Sequence, residues 1–185
     1  MNKERAENAV RELLTALDQD ITSEGMRDTP RRVAEMYVSQ CTEEDAELER
    51  TFVTDKLNDL IMVRDIPMHS MCSHHLLPYY GRAHIAYIPY KRVLGLSKLA
   101  RLAYSCSKGF TLQESVTKNV ADRLYEELEC KGVMVVVEAV HTCMSLRGAK
   151  ALGASATTSA VRGVFRDAVA ARGEFLSLIN KGGPR

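Results

Sequence analysis

The 185-residue sequence predicts an α+β fold, and three observations carry that prediction. Apolar residues recur at helical spacing near the start. A β-branched run, Val133 to Val137, has the look of a buried strand. Between the first strand patterns and that run lie two helix patterns in succession.

Val10, Leu13, Leu14 and Leu17 fall on one face of a first helix that ends before Asp18-Gln19-Asp20. Thr29-Pro30 joins an N-cap candidate to a proline suited to a first turn, and Val33, Met36 and Tyr37 continue a second helix. Acidic residues dominate from Cys41 to Arg50, after which Leu60 to Val63 reads as a strand. Met68 to Tyr80 has no clear period and reads as a loop against a sheet, followed by a strand from Arg82 to Ile88. Ser97 is a cap candidate for a helix carrying Leu99, Leu102, Ala103 and Cys106. Val116, Val120, Leu124 and Leu128 mark a longer one. Lys131-Gly132 breaks before Val133 to Val137, and Glu138 to Cys143 extends that strand. Thr157 to Val164 is a further strand, and Ala168 to Ile179 a terminal helix with Phe175, Leu176 and Ile179 inward.

Length and an even composition predict one domain, residues 1–185, with a helical part over 1–55 and a core over 56–185. A net charge of +1 lacks the basic excess of a nucleic-acid binder. The charged start and the lack of a long apolar run predict no membrane span and a cytoplasmic location. Five scattered cysteines argue for reduced thiols or metal ligands over a disulfide framework.

Cys72-Ser73-His74-His75 offers a thiolate and an imidazole at C-x-x-H spacing. His141-Thr142-Cys143 follows the best strand pattern, and residues two apart on extended chain share a side. Three or four ligand-type groups are therefore available for zinc. With three ligands the fourth position is left to water, a hydrolytic arrangement; with four the metal is structural. Spare histidines, which exchange protons near neutral pH, favour the hydrolytic reading.

His69-Ser-Met-Cys72-Ser-His74-His75-Leu-Leu-Pro78 resembles the zinc-loop signature of the GTP cyclohydrolase I family, and Gly95-Leu-Ser-Lys-Leu-Ala-Arg101 resembles its second signature. Gln113-Glu114, His141 to Gly148 and Glu174 to Ile179 match in the same order, so the likeness spans roughly residues 5 to 180. The resemblance implies a tunnelling fold (T-fold), with N-terminal helices followed by an antiparallel sheet that has two helices packed on one face. It implies that Cys72, His75 and Cys143 bind zinc and that His74 and His141 handle protons. It also implies that Glu114, with Gln113 beside it, meets the guanine edge. Ser97, Lys98, Arg101, Arg147 and Arg32 would meet ribose and triphosphate, Ser97 within the catalytic set. The implied reaction converts GTP to 7,8-dihydroneopterin triphosphate and formate. The implied assembly is a homo-oligomer, a decamer of two pentameric rings.

Departures cluster near the substrate positions. Ser73 stands where the family usually has Glu, Glu35 where a basic residue is common, and Ser115 where Arg usually follows the anchoring Glu. The 149–154 segment lacks the family's Lys-Pro-Gly-Ser character. Two rival readings follow: a hydrolase of the same fold acting on another guanine nucleotide or stopping at a formyl intermediate, and a non-catalytic zinc-stabilised regulatory partner. Cys41, Cys106 and Cys130 read as small hydrophobes, and His69 and His84 as structural or surface groups.

Overall fold

Asn2 opens the first helix, its side-chain oxygen accepting a hydrogen bond from the Arg5 amide at 2.9 Å and so filling one N–H that a helix start leaves without a partner. That helix, α1, spans Lys3–Ala16. The second, α2, spans Thr29–Cys41 with Pro30 in its first turn. Its N-cap position belongs to Asp28, not Thr29, and no side chain caps it. Lys3 and Arg31 both pair with Glu35, at 2.7 and 3.0 Å, and hold its carboxyl below the usual range. These helices form the first of two units, Met1–Glu43 and Glu44–Arg185. The computed structural model describes residues 1–42, 46, 48, 51–53 and 57–180, so most of the acidic stretch before Thr51 lies outside the described residues.

The second unit is built on a five-stranded sheet of order β5-β2-β3-β6-β7, where β2 is Ile61–Cys72, β3 Pro78–Ile88, β5 Phe110–Thr111, β6 Gly132–His141 and β7 Ala156–Gly163. All neighbours are antiparallel except β2 and β5, which run parallel. Two three-residue strands, β1 (Thr51–Val53) and β4 (Arg92–Leu94), pair separately.

Period-two alternation sorts the sheet's side chains between two layers. Val133, Val135, Val137, Ala83, Ile85 and Tyr87 face a core shared with α3 (Leu96–Cys106) and α4 (Gln113–Leu128). Leu99, Leu102, Val116, Val120 and Leu124 supply the helical side of that core, each at most 1% exposed. This is the expected pair of helices on one face. Met134, Val136 and Ala86 face the other way, against Phe165 of a single 3-10 turn and Phe175 of α6 (Val169–Asn180). In α6 Phe175 is buried and Ile179 packs beside it, but Leu176 is 46% exposed, correcting its expected inward position.

The segment read as a loop from Met68 to Tyr80 is mostly strand. β2 runs on to Cys72, β3 begins at Pro78, and only Ser73 to Leu77 turn between them. Ile66, Met68 and Ser70 are buried while Pro67 and His69 are exposed, an alternation that the proline and the polar Ser70 obscure. Gly81 lets β3 approach β6, since a Cβ there would sit 1.9 Å from the Glu138 carbonyl oxygen. Among the described residues, no helix is long and apolar enough to cross a membrane.

Candidate active site

The register of the central strands brings the two chemistry-rich segments together. Met71 pairs with Pro78 across the β2–β3 turn, and Tyr79 pairs with His141 on β6. With β3 only one strand wide between them, the end of β2 and the end of β6 open on one rim. Leu76, at a positive φ of 54°, and the bond from its amide to the Cys72 carbonyl at 2.9 Å wind the intervening turn tightly. His74 and His75 are exposed on that turn, while Cys72 is buried at its base.

The strand expected to continue to Cys143 stops at His141. Thr142–Ser145 form a short helical turn, α5, and the Thr142 hydroxyl donates to the Pro78 carbonyl at 2.6 Å, fastening the turn to the start of β3. Cys143 thus reaches the site by helical curvature instead of by strand alternation.

Donor atoms of Cys72, His141 and Cys143 all lie within 4.8 Å of one another. The two sulfurs are 4.0 Å apart, and His75 Nδ1 lies 3.8 Å from Cys72 Sγ. A tetrahedral zinc ion with ordinary bond lengths separates two sulfurs by about 3.8 Å and a sulfur and a nitrogen by about 3.6 Å. Two thiols with imidazole at these spacings suit zinc or another thiophilic metal. Burial, together with the neighbouring Cys72 sulfur, pushes the Cys143 thiol above its usual range, so a cation that replaces the proton relieves an unfavourable pairing.

His75 and His141 are held differently. Arg147 donates to His75 Nε2 at 2.5 Å from the exposed segment after α5. His141 is partly buried, its ring stacked on Tyr79 and its Nε2 2.7 Å from the Gln113 side-chain oxygen. Burial lowers its pKa, with the Glu114 charge pulling the other way. Glu114 itself is exposed on the first turn of α4, one residue from Gln113, which is 2% exposed.

Ser97, Lys98 and Arg101 lie on the first turns of α3, Ser97 and Arg101 exposed. The helix begins at Leu96 with Gly95 at the N-cap position, so Ser97 lies inside the first turn and is not the expected cap. Arg32 lies on α2 in the first unit, paired with Asp28 at 3.4 Å.

Sequence reasoning missed the hydroxyl cluster behind His141. Tyr79 is fully buried, its hydroxyl 2.6 Å from Thr111 Oγ1, which is 2.8 Å from Ser70 Oγ. The available signal was phase: Tyr79 stands two residues before Gly81 and four before Ala83, on the inward side of β3. Cys130, whose thiol burial pushes up to about 11, and Cys106, also raised by burial, fit the small-hydrophobe reading. His84 is buried and His69 exposed against Tyr104.

Comparison with known proteins agrees with this geometry. Residues 6–180 match the GTP cyclohydrolase I family. GTP cyclohydrolase 1 of Bacillus subtilis (strain 168) is 49% identical, covering 98% of this chain and 97% of its own. That of Carboxydothermus hydrogenoformans is 48% identical over 100% of this chain and 98% of its own, and that of Clostridioides difficile (strain 630) 48% identical over 97% of each. With one end-to-end family match, near-half identity over full length, and the sheet, helix pair and Cys/His cluster in place, the chain belongs to the GTP cyclohydrolase I family, a family of the tunnelling fold.

Proposed function

We propose that this protein hydrolyses and rearranges GTP to 7,8-dihydroneopterin triphosphate and formate, the first step of a pterin or folate pathway. The observation that carries the reading is the convergence of two cysteines and two histidines where β2 and β6 end, on a chain that belongs to this family from residue 6 to residue 180.

In this reading Cys72, His75 and Cys143 hold zinc, supported by the 4.0 and 3.8 Å spacings around Cys72 Sγ. A zinc ion there acts as a Lewis acid that brings the pKa of water near neutrality. His141, held by Gln113 and Tyr79, and His74, exposed on the turn, move protons at the opening purine ring. The exposed Glu114 carboxylate accepts from the guanine ring N–H and its exocyclic amine, a pair of donors that adenine does not offer. Ser97, Lys98, Arg101 and Arg147 supply donors to the ribose and the triphosphate. Metal loading and substrate binding meet at Arg147, whose guanidinium now rests on His75 Nε2.

The assembly is a decamer of two pentameric rings, and its setting is the cytoplasm. β7 stands at the outer edge of the described sheet, and a strand edge with unpaired backbone groups is suited to pairing with another subunit. Light scattering on the purified protein measures this mass directly.

The test of function is incubation of zinc-loaded protein with GTP, followed by assay for formate and, after oxidation, for a fluorescent pterin. Both products establish the reaction. Formate without pterin assigns the chain to a formyl-stage hydrolase, an outcome that Ser73 and Ser115, in place of the family's Glu and Arg, make worth measuring. Neither product from a zinc-replete oligomer sinks the proposal.

A further inference from the structure

The side-chain amide of Gln113 has no freedom to turn. Its Nε2 lies 3.0 Å from the Val137 carbonyl, 3.0 Å from the Ala156 carbonyl and 3.1 Å from Thr158 Oγ1. The Thr117 hydroxyl donates to the Gln113 carbonyl at 2.8 Å, so at the 2.6 Å contact between Thr117 and Thr158 the proton comes from Thr158. Thr158 Oγ1 therefore faces Gln113 with a lone pair, and all three neighbours of Nε2 are acceptors. Rotating the amide by 180° would set a carbonyl oxygen against three oxygens in a site 2% exposed. Gln113 Oε1 is thereby fixed toward His141 Nε2 at 2.7 Å, and an amide oxygen only accepts.

We propose that Gln113 is a positioning residue that fixes the orientation of the His141 ring and holds it as the tautomer that donates from Nε2. The inference rests on the reading of His141 as an active-site residue given above. Tyr79 supports it: a ring stacked at 4.5 Å, itself held through Thr111, opposes the rotation that would carry His141 Nε2 away from Gln113 Oε1. The Gln113 amide also joins the middle of β6 and the start of β7 to the first turn of α4, so one side chain sets both the His141 ring and the turn that carries Glu114.

Raman spectra of the zinc-loaded enzyme carrying isotope-labelled histidine, less the spectrum of His141→Ala, read which ring nitrogen of His141 is protonated. The expected result is the Nε2–H form in the unsubstituted protein; the Nδ1–H form there overturns the proposal without recourse to any Gln113 variant. Gln113→Met should give mixed tautomers and a kcat on GTP lower by about 10- to 100-fold, with KM within about threefold. A KM raised about tenfold or more with kcat unchanged makes Gln113 a substrate contact and overturns its positioning role. An enzyme that shows the expected tautomers but releases no formate from GTP supports the role of Gln113 while removing the proposed reaction.

Discussion

The imidazole of His141 lies flat against the ring of Tyr79, with centroids 4.5 Å apart and planes 7° from parallel. The two residues are register partners on adjacent strands, so the stack is a cross-strand pair that the ladder itself sets. Tyr79 is fully buried and its hydroxyl is taken by Thr111, which makes its ring the fixed member and His141 the member being oriented.

Separating the ring from its hydroxyl tests this. Tyr79→Phe keeps the stack and loses one buried hydrogen bond, a cost of about 1 kcal/mol that should leave turnover within a few fold. Tyr79→Leu removes the flat surface and frees the imidazole, and a misplaced catalytic group costs up to about 100-fold in rate. Denaturant melts with initial rates on GTP separate the two. Equal turnover in both variants would show that the stack does not orient His141.

The metal assignment divides the four clustered residues into ligands and proton carriers. Cys72→Ala, Cys143→Ala and His75→Ala should each lose bound zinc, whereas His141→Ala should retain it and lose turnover. Zinc content after dialysis, measured by atomic emission, reads the division directly. Because His141 lies within 4.8 Å of both sulfurs, the informative pair is His75→Ala and His141→Ala. Zinc lost from the second and kept by the first would exchange their roles.

Much of this site was legible from residue order. Cys72, His75, His141 and Cys143 stood out because ligand types at those spacings are uncommon and the family signatures surround them. Helix α4 was legible because Val116, Val120, Leu124 and Leu128 repeat at four-residue steps. Strands β1, β4 and β5, two or three residues each, were not, because so short a strand is defined by its partner and leaves no period of its own. The role of Gln113 was also hidden. It depends on carbonyls of Val137 and Ala156, 24 and 43 residues away, which only the folded sheet places around one amide. Cys143 was placed correctly for the wrong reason, since the argument from strand alternation fails where α5 replaces the strand.

The closeness of β3 and β6 at Gly81 gives a prediction about folding. A Cβ there would meet the Glu138 carbonyl oxygen at 1.9 Å and the Ala139 Cα at 2.6 Å, both of them backbone that cannot swing aside. Gly81→Ala should therefore force the two central strands apart between the site and the core, destabilising the protein by about 4 kcal/mol or more. Soluble yield and the urea midpoint measure this. A midpoint like that of the unsubstituted protein would mean that the ladder absorbs the added methyl.

On the sheet face away from α3 and α4, His84 supplies a pH dependence that is separate from the site. The residue is 2% exposed, its Nδ1 accepts from the Asp65 amide at 3.2 Å, and its Nε2 has no hydrogen-bond partner among the described residues, with the Glu138 carboxylate 3.7 Å away. Burial lowers its pKa, Asp65 and Glu138 oppose that shift, and Arg82 adds to it. The folded protein thus keeps His84 neutral at a pH where the unfolded chain, with an ordinary histidine pKa of about 6.5, already binds a proton. Its contribution to stability is full above that value and is lost as pH falls through it toward the lower folded pKa. Acidification from about pH 7 to about pH 5 should lower the urea midpoint, and His84→Asn, which keeps an acceptor for the Asp65 amide but does not titrate, should flatten that fall. An unchanged slope in the variant would place the acid sensitivity on other groups.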